Sequence, residues 1–204
     1  MDGGHMDSMM IFGPEHFTLH PDAPEVFGWL GCGEASPCYT VFREAWPRAV
    51  ELLGEAMHPM AAWTEHGDLL TVFLTLGDGP EKQVHSLFER QQYVLASLVN
   101  TLCDEMLFQM NRQFSLLLQT QFNAEHRYLA DRLEPGIDFC SEIQRQRFAP
   151  LQSAFPHVKI SASGILTPAK SMMYCVILTR HACDQTKLHD CSTCSQKDCI
   201  YRKA

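Results

Sequence analysis

Four cysteines stand together toward position 204, at Cys183, Cys191, Cys194 and Cys199, in a C-x7-C-x2-C-x4-C spacing. Thiols gathered this densely can surround one ion, and C-x2-C brings two sulfurs to it from a single tight turn. Thiolates are soft donors, so the set favours zinc or an iron–sulfur cluster over magnesium or calcium. The spacing fits neither the common zinc-finger pattern nor the common ferredoxin pattern, which leaves the metal open. Free surface thiols are the simpler alternative.

Three further groups carry chemistry. Arg132-Leu133-Glu134-Pro135-Gly136 places a guanidinium, which can pair bidentately with a carboxylate, beside a glycine that permits close backbone approach. Taken alone, this is a helix stop with a surface arginine. Thr167-Pro168-Ala169-Lys170-Ser171, just ahead of Tyr174, offers a cation, hydroxyls and a phenol where a loop meets a strand. Asp104 and Glu105 fall in the middle of a helix that is apolar on nearly every face, where a carboxylate needs a partner or a solvated stripe. Ten histidines form no recognisable catalytic set. With no Gly-x-Ser-x-Gly elbow, phosphate-cradling glycine loop or dinucleotide fingerprint, hydrolase, kinase and dehydrogenase readings have no anchor.

The elements that must position these groups follow from periodicity. Prolines 14, 21, 24 and 37 keep the early chain irregular. Thr40 can cap a helix through about Met57, with its first turns set apart by Pro47. Leu69–Leu76 reads as a buried strand stopped by Gly77-Asp78-Gly79-Pro80. Residues 81–131 then read as helical throughout, ending at Arg132, since no Gly or Pro interrupts them. A short helix follows Ser141-Glu142 to about Phe155. Val158–Ala162 and Met172–Thr179 read as strands joined by a loop. Strands so few and so unevenly spaced suit an α+β fold with an antiparallel sheet better than a doubly wound one.

The co-linear order of these weak motifs resembles the activation domain of cobalamin (vitamin B12)-dependent methionine synthase, and more closely its small stand-alone relatives in anaerobes. The resemblance spans about residues 27–204. It rests on Leu74-Thr75-Leu76-Gly77, the helical acid Glu105, Arg132-Leu133-Glu134-Pro135-Gly136-Ile137-Asp138, Pro168-Ala169-Lys170-Ser171 and the Cys191–Arg202 segment. It implies one α+β domain with a central antiparallel sheet flanked by long helices. It also implies a shallow S-adenosylmethionine site involving Arg132, Glu134, Pro135, Gly136, Tyr174, Glu105, Lys170 and Ser171, with the arginine near the methionine carboxylate. Glu134 stands where the family has a small residue, and Ile137 where it has an aromatic. The implied activity is reductive methylation, in which a reduced corrinoid takes the methyl group from the sulfonium. No Asp-x-His-x-x-Gly motif is present, so the cobalamin would sit on a partner, a corrinoid protein or cobalamin-dependent methyltransferase. An iron–sulfur cluster in the cysteine-rich segment could relay the electron.

Composition bounds the rest. The 204 residues carry 46% hydrophobic and 20% charged residues, enough for a sizeable core. A formal net charge of −8 argues against a nucleic-acid partner. No apolar run approaches the roughly 20 residues a membrane span needs, and the start lacks a basic n-region and an apolar h-region. The expectation is a cytoplasmic protein whose nine cysteines are thiols, metal ligands or redox groups. Residues 1–20 read as a disordered or expression-derived leader, 21–180 as the domain and 181–204 as a cysteine-rich tail. The competing function is a metal-binding or redox-sensing module that has kept the fold and lost S-adenosylmethionine.

Overall fold

The computed structural model describes residues 8–183 together with Cys199 and Tyr201. Strand β1 (Met9–Phe12) opens the described chain, followed by helices α1 (Ala23–Trp29) and α2 (Tyr39–Ala56). Asp22 caps α1 by accepting the Glu25 N–H at 3.1 Å, and Pro24 occupies its first turn, where a missing N–H costs nothing. α2 runs unbroken through Pro47, not in two pieces as the sequence suggests, and buries Ala49, Leu52 and Leu53. Strands β2 (Met60–His66) and β3 (Leu69–Thr75) form a hairpin whose turn uses Gly67 at φ +63°.

The stretch expected to be one helical region resolves into three elements: α3 (Gly79–Glu89), α4 (Tyr93–Ala124) and strand β4 (Tyr128–Leu133). Gly79 lets α3 begin against the end of α2, since a Cβ there would lie 2.1 Å from the Ala56 carbonyl oxygen. α4 is 32 residues long and buries Leu98, Leu102, Met106, Met110, Phe114 and Phe122 among others. Helix α5 (Ser141–Phe148) continues as a 3-10 turn, Ala149–Leu151. The expected strand at 158–162 shrinks to β5 (Lys159–Ile160), paired with β6 (Leu166–Thr167) inside the expected loop. β7 (Ser171–Thr179) completes the fold.

Five strands make one antiparallel sheet in the order β1-β2-β3-β7-β4. Period-two alternation sends Val72, Leu74, Tyr174 and Val176 to one face, where they pack with α4. It sends Phe73 and Met173 to the other, where Phe148, Leu151, Phe155 and Val158 form a smaller core. The architecture is the α+β class with an antiparallel sheet.

The reading of residues 1–20 as disordered is corrected for residues 8–20. β1 pairs with β2 in register from Met9↔Thr64 to Phe12↔Ala61. Beyond it, Gln113 and Gln109 on α4 each grip one residue of the passing backbone. Gln113 accepts the Thr18 N–H at 2.9 Å and donates to the Thr18 carbonyl at 2.6 Å; Gln109 does the same for His20 at 2.9 and 2.6 Å. Their i,i+4 spacing puts both amides on one face of α4. Among the described residues no helix is long and apolar enough to cross a membrane.

Candidate ligand-binding site

β7 carries its chemistry on the face turned toward α4. The Lys170 carbonyl accepts the Leu76 N–H at 3.0 Å, which extends the strand pairing by one residue and sets Lys170, Met172 and Tyr174 on that same face. Lys170 Nζ donates to Asp104 Oδ1 at 2.7 Å, and the Tyr201 hydroxyl donates to Asp104 Oδ2 at 2.7 Å. The Tyr201 ring packs edge-on against Trp29 and Phe108, at 4.8 and 5.2 Å between centroids. Burial, and then the bond to Asp104, push its phenol well above the ordinary tyrosine range.

Next along the sheet stands Arg132. It lies on the edge strand β4, opposite Val176, after a shift of register between Leu129 and Arg132. Its guanidinium carbon is 3.6 Å from the centroid of the Tyr174 ring, a cation–π stack. Nη2 points at Met172 Sδ, 3.5 Å away, and Nε lies 2.5 Å from Glu134 Oε1. The arginine side chain is only 7% exposed and the Glu134 side chain 33%, so the pair presents its carboxylate outward over an enclosed cation. Nη1 has no hydrogen-bond partner among the described residues. Tyr174 is itself buried, which raises its phenol, while the neighbouring guanidinium opposes that rise.

Beyond Glu134 the chain turns on itself. Glu134 N–H donates to Asp138 Oδ2 at 2.7 Å, and Asp138 N–H returns to the Glu134 carbonyl at 2.9 Å. Pro135 bridges to Phe139, and Gly136 N–H donates to the Phe139 carbonyl at 2.8 Å. Gly136 has φ +80° with open space around a notional Cβ, so the backbone angle, and not crowding, calls for glycine. Ile137 stands exposed at the tip.

The residues singled out in sequence are thus brought together only in part. Arg132, Glu134 and Tyr174 form one contact group, with Pro135 and Gly136 in the adjoining turn and Lys170 on the same sheet face. Arg132 belongs to a strand and not to the end of a helix as expected. Ser171 points through the sheet, donating to Thr75 Oγ1 at 2.8 Å on the opposite face. There Thr75, His58, Asp78 and His157 line a cavity of about 390 Å³. Glu105, 1% exposed, turns toward α1: Gln109 Nε2 donates to its Oε1, and Oε2 has no partner among the described residues. Burial, foremost, and the charges of Glu25 and Asp22 raise its carboxyl above the usual range.

Its neighbour Asp104 is the acid that meets Lys170, a pairing across 66 positions that local pattern cannot announce. Tyr201 falls within the Cys191–Arg202 segment on which the resemblance rests, but the sequence assigns it no role. Of the four expected metal ligands, Cys191 and Cys194 lie outside the described residues. Cys183 is exposed and directs its thiol at the Leu129 carbonyl, 3.4 Å away; Cys199 is half-buried. Among the described residues no three His, Cys, Asp or Glu side chains converge as a metal site.

No protein-family profile and no curated protein sequence matches this chain. Among solved structures it is similar to the MetH reactivation domain bound to AdoHcy, with a TM-score of 0.50 and 10% identity over 88% of this chain and 81% of that one. At that identity the likeness is one of fold: this chain shares the architecture of the MetH reactivation domain.

Proposed function

We propose that this chain binds S-adenosylmethionine at the Arg132–Glu134 pair and acts as an activation module for a corrinoid held by a partner methyltransferase. The observation that carries the proposal is the enclosed Arg132 guanidinium, with one donor nitrogen unpartnered beside an outward carboxylate. The amino-acid end of S-adenosylmethionine is a zwitterion. A buried cation adjoining an accessible anion is complementary to it: the Arg132 guanidinium draws the carboxylate and Glu134 takes the ammonium. Tyr174 holds the guanidinium plane from beneath, and the Pro135–Gly136 turn lets backbone groups approach the ligand. Sharing a fold with a domain solved with AdoHcy supports this reading. The corrinoid, when bound by the partner, supplies the acceptor for the methyl group. This chain's residues bind and orient the donor, a positioning role that lowers the entropic part of the barrier. An iron–sulfur cluster on Cys183, Cys191, Cys194 and Cys199 would add an electron route; zinc there would not.

Calorimetry with S-adenosylmethionine and S-adenosylhomocysteine tests the proposal. Arg132→Ala should weaken binding by at least tenfold, about 1.4 kcal/mol, and Glu134→Gln should also weaken it by removing the ammonium partner. Absence of binding by the unaltered protein, alone and with a corrinoid protein, would leave a metal-binding or redox module as the function of this fold.

A further inference from the structure

The cavity on the sheet face opposite Arg132 takes no part in the site described above. It holds about 390 Å³, at the lower end of the roughly 300–1,000 Å³ typical of small-molecule sites. One wall is formed where Met60 begins β2 and Thr75 ends β3, and another by the chain that follows α5. Phe155 and Val158 on that second wall are 5% and 4% exposed, packed with Phe73 in the smaller core. Gln152 keeps the wall in shape, since its Nε2 donates to the Phe155 and Val158 carbonyls at 3.2 Å each. On a further side the Ala169 N–H donates to Glu81 Oε2 at 2.9 Å, tying the segment that carries Pro168 to α3. Packed side chains and bonded backbone thus bound a space that is already formed.

Two features of the lining say what it accepts. Met60, Ala154, Phe155, Pro156, Val158 and Pro168 make it chiefly apolar. Histidines aside, Asp78 is the one charged side chain among the described residues that line it, and Lys82 Nζ already holds that carboxylate at 2.5 Å. A charged ligand therefore finds no free counter-ion in the walls. The second feature is Thr75, 4% exposed. Its Oγ1 accepts two hydrogen bonds, from the Ser171 hydroxyl at 2.8 Å and from the Gly77 N–H at 3.0 Å. A hydroxyl has two lone pairs and one hydrogen. Both lone pairs are filled, and the hydrogen has no acceptor among the described residues. A buried donor left in that state is costly, so it favours a polar atom brought into the cavity.

We infer that this cavity is a second ligand site, separate from the Arg132 group, for a flat, uncharged heteroaromatic ring that brings a hydrogen-bond acceptor to Thr75. Met60 and Phe155 suit such a ring through sulfur–ring and ring–ring contacts, and a rigid ring loses little entropy on entry. His58 and His157, both exposed, stand at the rim to meet its outer edge. Ser171 and Thr75 are register partners across β7 and β3, on the face turned away from Lys170 and Tyr174. The sheet consequently stands between the two sites, and each fills without the other.

The test titrates the full chain, labelled with nitrogen-15, with 7-azaindole and with indole at pH 7.5. The two probes have one shape and differ in a single ring nitrogen, an acceptor that indole lacks. Amide shifts at Gly77, Gly79 and His157 should saturate with both, and 7-azaindole should bind about fivefold more tightly, the size of one neutral hydrogen bond. Thr75→Val keeps the side-chain shape and should erase that preference. Ala154→Leu, which fills the cavity and leaves Thr75 and its two partners in place, should block both probes. Arg132→Ala should leave both affinities unchanged. Equal affinity for the two probes in the unaltered protein, or an Ala154→Leu protein of unchanged circular dichroism that still binds them, would overturn the assignment. Loss of probe binding in Arg132→Ala would overturn the separation of the two sites. None of these readouts requires S-adenosylmethionine.

Discussion

A carboxyl group enclosed in the middle of α4, with one oxygen unpartnered, costs the fold stability when it ionises. Glu105 is that group, and its raised folded-state value fixes the sign of the pH dependence. The folded form holds the proton more tightly than the unfolded chain does. Its stabilising contribution is therefore fully present below the unfolded value near that of a free glutamate, and is lost as pH rises through the higher folded value. Glu105→Gln keeps the acceptor for Gln109 and removes the charge. Denaturation midpoints should show the variant more stable at pH 7, by on the order of 1 kcal/mol, with this pH dependence gone. A destabilised variant would mean that the charge is used. Sequence identified Asp104 and Glu105 as an adjacent pair needing partners. What it could not supply was that a step of about 100° around the helix sends Asp104 to Lys170 and Glu105 toward α1.

At the scale of elements, the legible parts were those whose signal is local. β3 and β7 announce themselves because both faces are buried, leaving continuous apolar runs in Leu69–Thr75 and Met172–Leu178. The divisions within 81–131 were hidden because the chain reverses at non-glycine residues. Gln91 and His126 take φ +59° and +55°, each completing a helix end in which the next N–H donates back to a carbonyl of the last turn, Gln92 to Leu87 and Arg127 to Phe122, both at 2.9 Å. Glycine normally marks such ends, and without it a helix, a reversal and a strand look like one helix. β4 was lost for this reason, and with it the true setting of Arg132. Because a side chain pays for the left-handed angle, Gln91→Gly and His126→Gly should each stabilise the protein by about 1 kcal/mol, read as a shift of the urea midpoint. A loss of stability at either position would show that the side chain's contacts outweigh the backbone gain.

Taken whole, the molecule uses its sheet as a partition. Consecutive residues Lys170 and Ser171 fall on opposite sides of it, so one short motif serves both the Arg132 face and the cavity beside His58 and His157. The resemblance seen in sequence gave the architecture, and the structural likeness to the MetH reactivation domain agrees with it. The sheet edges were less legible than its centre, since β1 and β4 each pair on one side only, β1 is just 4 residues long, and β4 interrupts its apolar pattern with Asp131 and Arg132. α4 does more than fill the space between sheet and outer helices, because Gln109 and Gln113 bind the backbone at His20 and Thr18 as a neighbouring strand would. Opening of that segment is consequently tied to a helix whose buried face anchors the main core. The Thr18 and His20 amides should exchange with deuterium far more slowly than their exposed position suggests, on the timescale of α4 itself. Gln113→Ala should return the Thr18 amide to rapid exchange while leaving the α4 core protected. Fast exchange at Thr18 in the unaltered protein would show that the segment opens independently of the helix that holds it.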